Sequence, residues 1–193
     1  DDITMLIVSQ NLTNYEIDIP QDAIFRVNLA WINDLKDLEV ILEKHRTRKI
    51  FLDLPTNRTK PPNNKYDIAE LIPIIKSNQN IKYFAISNIN SLDDLEMYIS
   101  LVPKHVTLIP KIESVEGVSN IKQITDALGD TKIIMFDHDD LYSSIIKSKQ
   151  PISKFLECFN MLTEHCNEQN VVLLRTIGVV FGDQEKKITD YIG

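Results

Sequence analysis

Short apolar runs recur along the chain and alternate with stretches of helical periodicity. Most of these runs are continuous in Val, Ile, Leu and Phe, as expected of strands that are buried on both faces of a parallel sheet. The pattern predicts seven strands, at Ile3–Val8, Ala23–Leu29, Lys49–Leu54, Ile81–Ser87, Val106–Ile112, Lys132–Phe136 and Val171–Arg175. The stretch from Ser9 to Gln21, which contains Asn-Leu-Thr-Asn and a proline, predicts a loop instead of a full helix.

Five of the intervening stretches predict helices, because apolar residues recur in them at helical spacing or a capping residue opens them. The predicted helical segments are Leu35–Leu42 with Asp34 in the first turn, Ile68–Ile75, Ser91–Tyr98, Ser114–Gly129 and Ser153 to about Glu168. A further short helical pattern, Asp183–Ile192, follows the last strand. Strands that alternate with helices in this way predict a parallel α/β fold.

Polar residues lie at or just beyond the C-terminal ends of the successive predicted strands. They are Arg26 and Asn28, Asp53, Ser87, Lys111 and Glu113, Asp140, and Arg175 with Thr176. A closed barrel collects all its strand ends at one mouth, whereas an open sheet brings together only the neighbours of a switch point. The pattern therefore favours a (β/α)8 TIM barrel. Because only seven strands are predicted and a full barrel usually needs about 250 residues, we expect a compact barrel that lacks or trims the eighth strand.

Composition narrows the class of protein. The 193 residues are 43% apolar and 25% charged, which predicts one globular domain spanning 1–193. With only 5 glycines there is no GxGxxG and no GxxxxGK[ST], so the standard phosphate cradles of dinucleotide and P-loop proteins are nearly excluded. A formal net charge of −7 argues against nucleic acid, and the apolar runs are too short to span a membrane.

Two cysteines, Cys158 and Cys166, lie in one predicted helix. The eight-residue spacing corresponds to about 12 Å of helical rise, too far for a disulfide. Reduced thiols of this kind predict a cytoplasmic protein.

The strongest candidate for chemistry is the segment Pro110-Lys111-Ile112-Glu113, followed by Asp140. Lys111 and Glu113 point to the same side of a strand, and Asp140 would come from the end of the next strand. Two carboxylates with room for water and substrate oxygens are the usual protein contribution to a Mg²⁺ or Mn²⁺ site. The lysine adds positive charge for an anionic substrate or a developing enolate. An internal Lys–Glu ion pair that only closes the barrel rim explains the same spacing equally well.

Six segments occur in the order found in a known family of barrels. They are Phe25–Ala30 (FRVNLA), Leu52–Pro55 (LDLP), Ala85–Ser87 continued by Ser91–Leu95, Ile109–Val118 (IPKIESVEGV), Ile134–Leu141 (IMFDHDDL) and Leu174–Thr176 (LRT). Through them the chain, from about Ile3 to Gly178, resembles the catalytic barrel of pyruvate kinase and the wider phosphoenolpyruvate/pyruvate superfamily. Metal-dependent aldolases and citrate lyase beta-like barrels belong to the same superfamily.

The resemblance implies a role for each matching position. Glu113 and Asp140 would hold the divalent metal, and Lys111 would stabilise an enolate or a transferring phosphoryl oxygen. Thr176 would lie by the face of the enolate to which a proton is delivered, and Arg26 would bind a substrate phosphate or carboxylate. Asn28 and Asp53 would line a monovalent-cation pocket. Lys60 and Ser87 would lie near the substrate. His138, at the predicted mouth, is a further candidate.

The departures from the family pattern are informative. Ala30 stands where the family has a serine that ligates K⁺, which weakens the prediction of K⁺ dependence. His138-Asp139 replace an Arg-Gly pair, and Lys60–Lys65 replaces a whole lid domain that supplies nucleotide contacts. We also expect no regulatory C-terminal domain. These differences argue against an ordinary pyruvate kinase.

Three functional hypotheses follow. The first is a Mg²⁺-dependent enzyme, pyruvate kinase-like, that acts on phosphoenolpyruvate, pyruvate or another 2-oxo acid through an enolate. The second is a carbon–carbon lyase of the citrate lyase beta-like type. The third is a catalytically degenerate barrel that serves as a ligand-binding or assembly subunit. Because a barrel lacking a strand exposes two sheet edges, we expect a homo-oligomer or a subunit of a larger assembly.

Overall fold

The computed structural model describes residues 5–56, 61–62 and 64–175. Within this part of the chain, seven parallel strands form one sheet whose order follows the sequence. They are β1 Ile7–Ser9, β2 Ile24–Asn28, β3 Ile50–Leu54, β4 Ile81–Ile86, β5 Thr107–Ile112, β6 Ile133–Phe136 and β7 Val172–Arg175. Each overlaps a strand predicted from the apolar runs, so the parallel α/β prediction is confirmed.

Helices connect the strands on the outer side of the sheet. Those in the described residues are α1 Leu35–Lys44, α2 Ile68–Ser77, α3 Leu92–Leu101, α4 Val115–Ser119, α5 Ile121–Asp126, α6 His138–Lys147 and α7 Ser153–Glu168. Asp34 caps α1 by accepting a hydrogen bond from the Asp37 N–H at 2.9 Å. Ser91 and Asp94 form a capping box at α3. None of the described helices is long and apolar enough to cross a membrane.

The structure differs from the predicted helices at two places. The stretch predicted as one helix ending at Gly129 is broken at Asn120 into α4 and α5, and α5 ends before Gly129. The Asn120 side chain donates to the Asn90 carbonyl at 2.8 Å, so the break lies at a tertiary contact. Helix α6 was not predicted, because its acidic beginning was interpreted as the end of a strand.

The sheet curls into a half-barrel. Side chains on its inner face form one apolar cluster that draws on every strand from β1 to β7. A larger core, between the outer face and the helices, contains the free thiols of Cys158 and Cys166, which confirms that they do not pair. Within the described residues β1 and β7 do not pair with each other, so a closed eight-stranded barrel is not shown.

Because all seven strands are parallel, their C-terminal ends lie at one edge of the half-barrel. The register places Asn28 of β2 beside Asp53 of β3, and Lys111 of β5 beside Met135 of β6. This edge is the mouth, and of the polar residues that the sequence predicts to cluster it carries Arg26, Asn28, Asp53, Ser87, Lys111 and Glu113.

Candidate active site

A buried ion pair lies at the centre of the mouth. The Lys111 ammonium on β5 is 3.4 and 3.3 Å from the two carboxylate oxygens of Asp53 on β3, and both residues are almost fully buried. Burial disfavours the charged forms of both residues, but the attraction between their opposite charges outweighs this effect. The pKa of Asp53, which also contacts Arg26, is therefore lowered, and the pKa of Lys111 is raised. The lysine stays protonated and the aspartate ionised.

Arg26 on β2 completes this charge cluster from the other side. Its Nε donates to Asp53 Oδ2 at 3.0 Å, and one terminal nitrogen contacts the same oxygen. The Arg26 side chain is 27% exposed, so it links the buried pair to the surface. Asp53 is thus shared by a guanidinium and an ammonium.

Glu113, just after β5, extends the cluster toward the cavity. Its Oε1 is 3.5 Å from Lys111 Nζ, and its Oε2 accepts a hydrogen bond from the Asn88 N–H at 2.7 Å. Asn88 has a φ of 55°, the left-handed conformation that asparagine tolerates. Burial raises the pKa of Glu113 to about 7; Lys111 and the Asn88 hydrogen bond lower it, whereas Asp140 and Asp137 raise it further.

Asp140 lies in the first turn of α6. The sequence analysis predicts it at the end of a strand, and this prediction is wrong. Asp137 is the N-cap of α6 and accepts a hydrogen bond from the Asp140 N–H at 3.0 Å. Capping by Asp137 therefore orients the turn that carries Asp140 beside Glu113.

Lys111, Glu113, Asp137 and Asp140 line a cavity of about 540 Å³ at the mouth, which Arg26 and Asp53 do not border. It is bordered by Pro55, Thr56, Ser87, Asn88, Asn90, Lys111, Glu113, Ser114, Asp137, Asp139, Asp140, Ser143, Ser144, Lys147 and Ser148. The described residues contain no group of three or more His, Cys, Asp or Glu placed to hold a metal ion. Glu113 and Asp140 nevertheless fit Mg²⁺ or Mn²⁺, which commonly takes only one or two protein carboxylates and completes its shell with water and substrate oxygens.

Several predicted site residues lie elsewhere. Asn28 Oδ1 accepts a hydrogen bond from the Ala30 N–H at 3.1 Å, which caps a short 3₁₀ turn, and both Asp53 oxygens face cations. The K⁺ pocket implied by the resemblance stays a prediction. Ser87 borders the cavity, and its predicted role near a substrate stays a prediction. Lys60 and Thr176 lie outside the described residues.

His138 does not line the cavity but packs among aromatic rings. Its ring centroid is 4.6 Å from that of Phe136, 5.8 Å from Phe155 and 6.0 Å from Phe159. Burial and the nearby Arg175 lower the pKa of His138 despite the adjacent carboxylates. These contacts give His138 a packing role between β6 and α7.

The sequence analysis missed two groups that shape the site. The Asn88 N–H binds Glu113, and Asp137 caps the helix that carries Asp140. An Asp three residues before another Asp is a recognisable capping signal, so Asp137 could have been found. The hydrogen bond from Asn88 spans 25 positions and left no local signal.

Comparison with protein-family models and with curated proteins finds no match. Solved structures do match. The crystal structure of RipC from Yersinia pestis aligns with a TM-score of 0.59 at 15% identity, over 87% of this chain and 79% of that one. An HpcH/HpaI aldolase/citrate lyase family protein from Burkholderia cenocepacia J2315 aligns with a TM-score of 0.57 at 13% identity, over 88% and 74%. At these identities the likeness shows the fold: the chain shares the barrel-like architecture of these proteins.

Proposed function

We propose that this chain is a divalent-metal-dependent carbon–carbon lyase that acts through the enolate of a small 2-oxo acid. The observation that carries the proposal is the cavity in which Glu113, Asp140 and the Lys111 ammonium meet. The description of the Burkholderia neighbour as an aldolase/citrate lyase family protein favours a lyase over a pyruvate kinase-like phosphotransferase.

Glu113 and Asp140 would hold the metal, because both are oxygen donors on neighbouring βα units that face one cavity. When bound, Mg²⁺ or Mn²⁺ supplies Lewis-acid polarisation of the substrate's carboxylate and 2-oxo oxygens. The hydrogen bond from the Asn88 N–H holds Glu113 Oε2 and leaves Oε1 turned toward Lys111.

Lys111 supplies a fixed positive charge where the enolate oxygen develops. In a retro-aldol cleavage the 4-hydroxyl proton leaves, the C3–C4 bond breaks and its electron pair moves into the enolate, while the other fragment departs as a carbonyl compound. A buried ammonium stabilises that charge because few waters compete with it. Protonation at C3 then gives pyruvate or its homologue. The resemblance assigns this protonation to Thr176, and the assignment stays a prediction.

The raised pKa of Lys111 also distinguishes this mechanism from Schiff-base catalysis, which needs a neutral amine. We expect borohydride reduction in the presence of pyruvate to leave Lys111 unmodified, as judged by peptide mass spectrometry. A reduced adduct on Lys111 would replace the metal-enolate mechanism by a covalent one.

The deciding experiment is calorimetry of oxalate and pyruvate binding with and without Mg²⁺. We expect binding that requires the metal and is lost in Glu113→Gln but kept in Glu116→Gln, a matched control on the exposed side of α4. Binding without metal, or binding unchanged in Glu113→Gln, would overturn the proposal. Complete absence of binding would favour the degenerate barrel.

Turnover separates the lyase from the kinase. We expect release of pyruvate from 4-hydroxy-2-oxo acids in a coupled lactate dehydrogenase assay. Formation of pyruvate from phosphoenolpyruvate only with ADP would instead restore the pyruvate kinase-like hypothesis.

A further inference from the structure

One face of α6 borders the cavity for two helical turns. Asp140, Ser143, Ser144 and Lys147 follow one another at helical spacing and all line it. Seven residues of α-helix correspond to about 10.5 Å between the first and last of these positions. The cavity therefore extends well beyond the proposed metal position and has room for more than pyruvate.

The two serines on this face differ from several other hydroxyl residues on or just after the described helices. Ser119 and Thr163, and Ser148 just after α6, each donate to the carbonyl four residues before them, at 3.0, 2.9 and 2.8 Å. Ser143 and Ser144 are half-buried, yet in the described part of the chain their side chains make no hydrogen bond. Their hydroxyls are therefore available to a ligand in the cavity.

Charge is distributed unevenly along the cavity. Asp137, Asp139, Asp140 and Glu113 lie toward its β5–β6 end, where Asp53 and Glu113 already neutralise Lys111. Lys147 is the other lysine among the described residues that line the cavity, and no described acidic group lies within ion-pair distance of it. By contrast, Lys122 on α5 and Lys154 on α7 each pair with a carboxylate on their own helix.

We infer that Ser143, Ser144 and Lys147 bind the far end of the substrate, which carries a hydrogen-bonding chain and a second anionic group. The inference rests on the proposed function, which places the 2-oxo acid carboxylate beside Glu113 and Asp140. The second anion is a carboxylate or a phosphate, since Lys147 binds either as a point charge. The serine hydroxyls both donate and accept, and so suit oxygen atoms along the chain between the two anionic ends.

Binding of a matched series of 2-oxo acids tests the inference. The probes are pyruvate, 2-oxopimelate and 2-oxo-3-deoxy-6-phosphogluconate, each titrated into the full chain with Mg²⁺. We expect at least one of the two probes with a second anionic group to bind more tightly than pyruvate. Lys147→Gln should weaken binding of that probe about tenfold, the effect of losing one charge-assisted hydrogen bond, and leave pyruvate binding unchanged. Ser144→Ala should act in the same direction.

Lys76→Gln and Ser119→Ala are the matched controls, because Lys76 is also in the last turn of its helix and Ser119 bonds its own backbone. Preference for one of these two probes identifies the second anion as carboxylate or phosphate. The inference is overturned if neither of them binds more tightly than pyruvate, if Lys147→Gln binds both as the unsubstituted chain does, or if Lys76→Gln has the same effect. Metal-dependent pyruvate binding that persists in those cases leaves the proposed function standing, whereas its absence in the unsubstituted chain overturns both.

Discussion

Glu113 is buried beside Asp137 and Asp140, and without a metal its pKa is raised from 4.5 to about 7. The folded protein holds the proton of the Glu113 carboxyl more tightly than the unfolded chain does. The contribution of this protonation to the free energy of unfolding is therefore complete below pH 4.5 and is lost as the pH rises through about 7. The interval between the two values corresponds to roughly 3 kcal/mol.

We expect Glu113→Gln, studied in a chelator, to unfold at higher urea concentration than the unsubstituted chain at pH 8. At pH 4 the two proteins should be nearly equal, because Glu113 is then uncharged in both the folded and unfolded states. The measurement is the free energy of unfolding at both pH values. Parallel pH dependences in the two proteins would show that Glu113 is ionised in the metal-free fold.

Asp53 is the shared anion of Arg26 and Lys111, and it is almost fully buried. Asp53→Asn leaves a buried ammonium with only the more distant Glu113 to balance it, and we expect it to cost about 3–5 kcal/mol of stability. Arg26→Gln should cost clearly less, because Lys111 still neutralises Asp53 and the arginine is partly exposed. Urea unfolding of both variants measures the difference, and equal losses would contradict this division of roles.

At the scale of elements, Gly117 fixes how α4 packs against the β4–α3 connection. A Cβ built there would lie 2.8 Å from the Ile89 carbonyl oxygen and 3.3 Å from an Ile112 methyl group. The nearest obstacle is backbone and cannot rotate away. We expect Gly117→Ala to lower the free energy of unfolding by about 1–3 kcal/mol, as overpacking usually does. The substitution should also displace the segment that follows Glu113.

Gly129 is the matched control for that substitution. It has no atom within 4 Å of a built Cβ and is not in the left-handed region, so Gly129→Ala should be neutral or stabilise by up to about 1 kcal/mol. Thermal unfolding of both variants provides the comparison. Similar melting temperatures for the two alanine variants would mean that α4 can move away from Ile89 without cost.

The elements also show which parts of the fold sequence reasoning reaches. Strands β2 to β7 are mainly apolar runs, and the capping residues Ser91 and Asp34 are local signals, so both were predictable. The break at Asn120 was not, because it coincides with a bond to the Asn90 carbonyl, 30 positions away. Helix α6 was within reach, since Asp137 three residues before Asp140 is a local capping signal.

Within the candidate site, too, local relations were predictable from the sequence and long-range contacts were not. The alternation of side chains along β5 predicts that Lys111 and Glu113 share a side, and the structure places them 3.5 Å apart. The partnership of Lys111 with Asp53 joins residues 58 positions apart and requires the folded sheet. The position of His138 outside the cavity was also not predictable, because it depends on long-range packing against Phe155 and Phe159 of α7.

For the molecule as a whole, the curled sheet leaves its inner cluster incompletely covered. Ile7 on β1 and Val172 and Leu174 on β7 belong to that cluster but are only half-buried, and Leu6 is 48% exposed. In a closed barrel such inward-facing side chains are buried by the adjacent strands. Among the described strands, β1 and β7 each pair on one side only and lie beside apolar neighbours, and we expect them to pair with a second copy or another subunit.

Sedimentation velocity of the full chain tests this expectation. We expect a species larger than one chain, because an edge strand beside half-buried apolar residues is a natural pairing surface. Leu174→Glu places a charge at that edge and should shift the protein toward monomer while its circular dichroism stays unchanged. Val40→Glu, on the outer face of α1 where the side chain is 68% exposed, adds the same charge away from the edge and should remain assembled. A stable monomer of the unsubstituted chain would mean that this edge needs no partner, and a substrate would then enter the mouth of a single subunit.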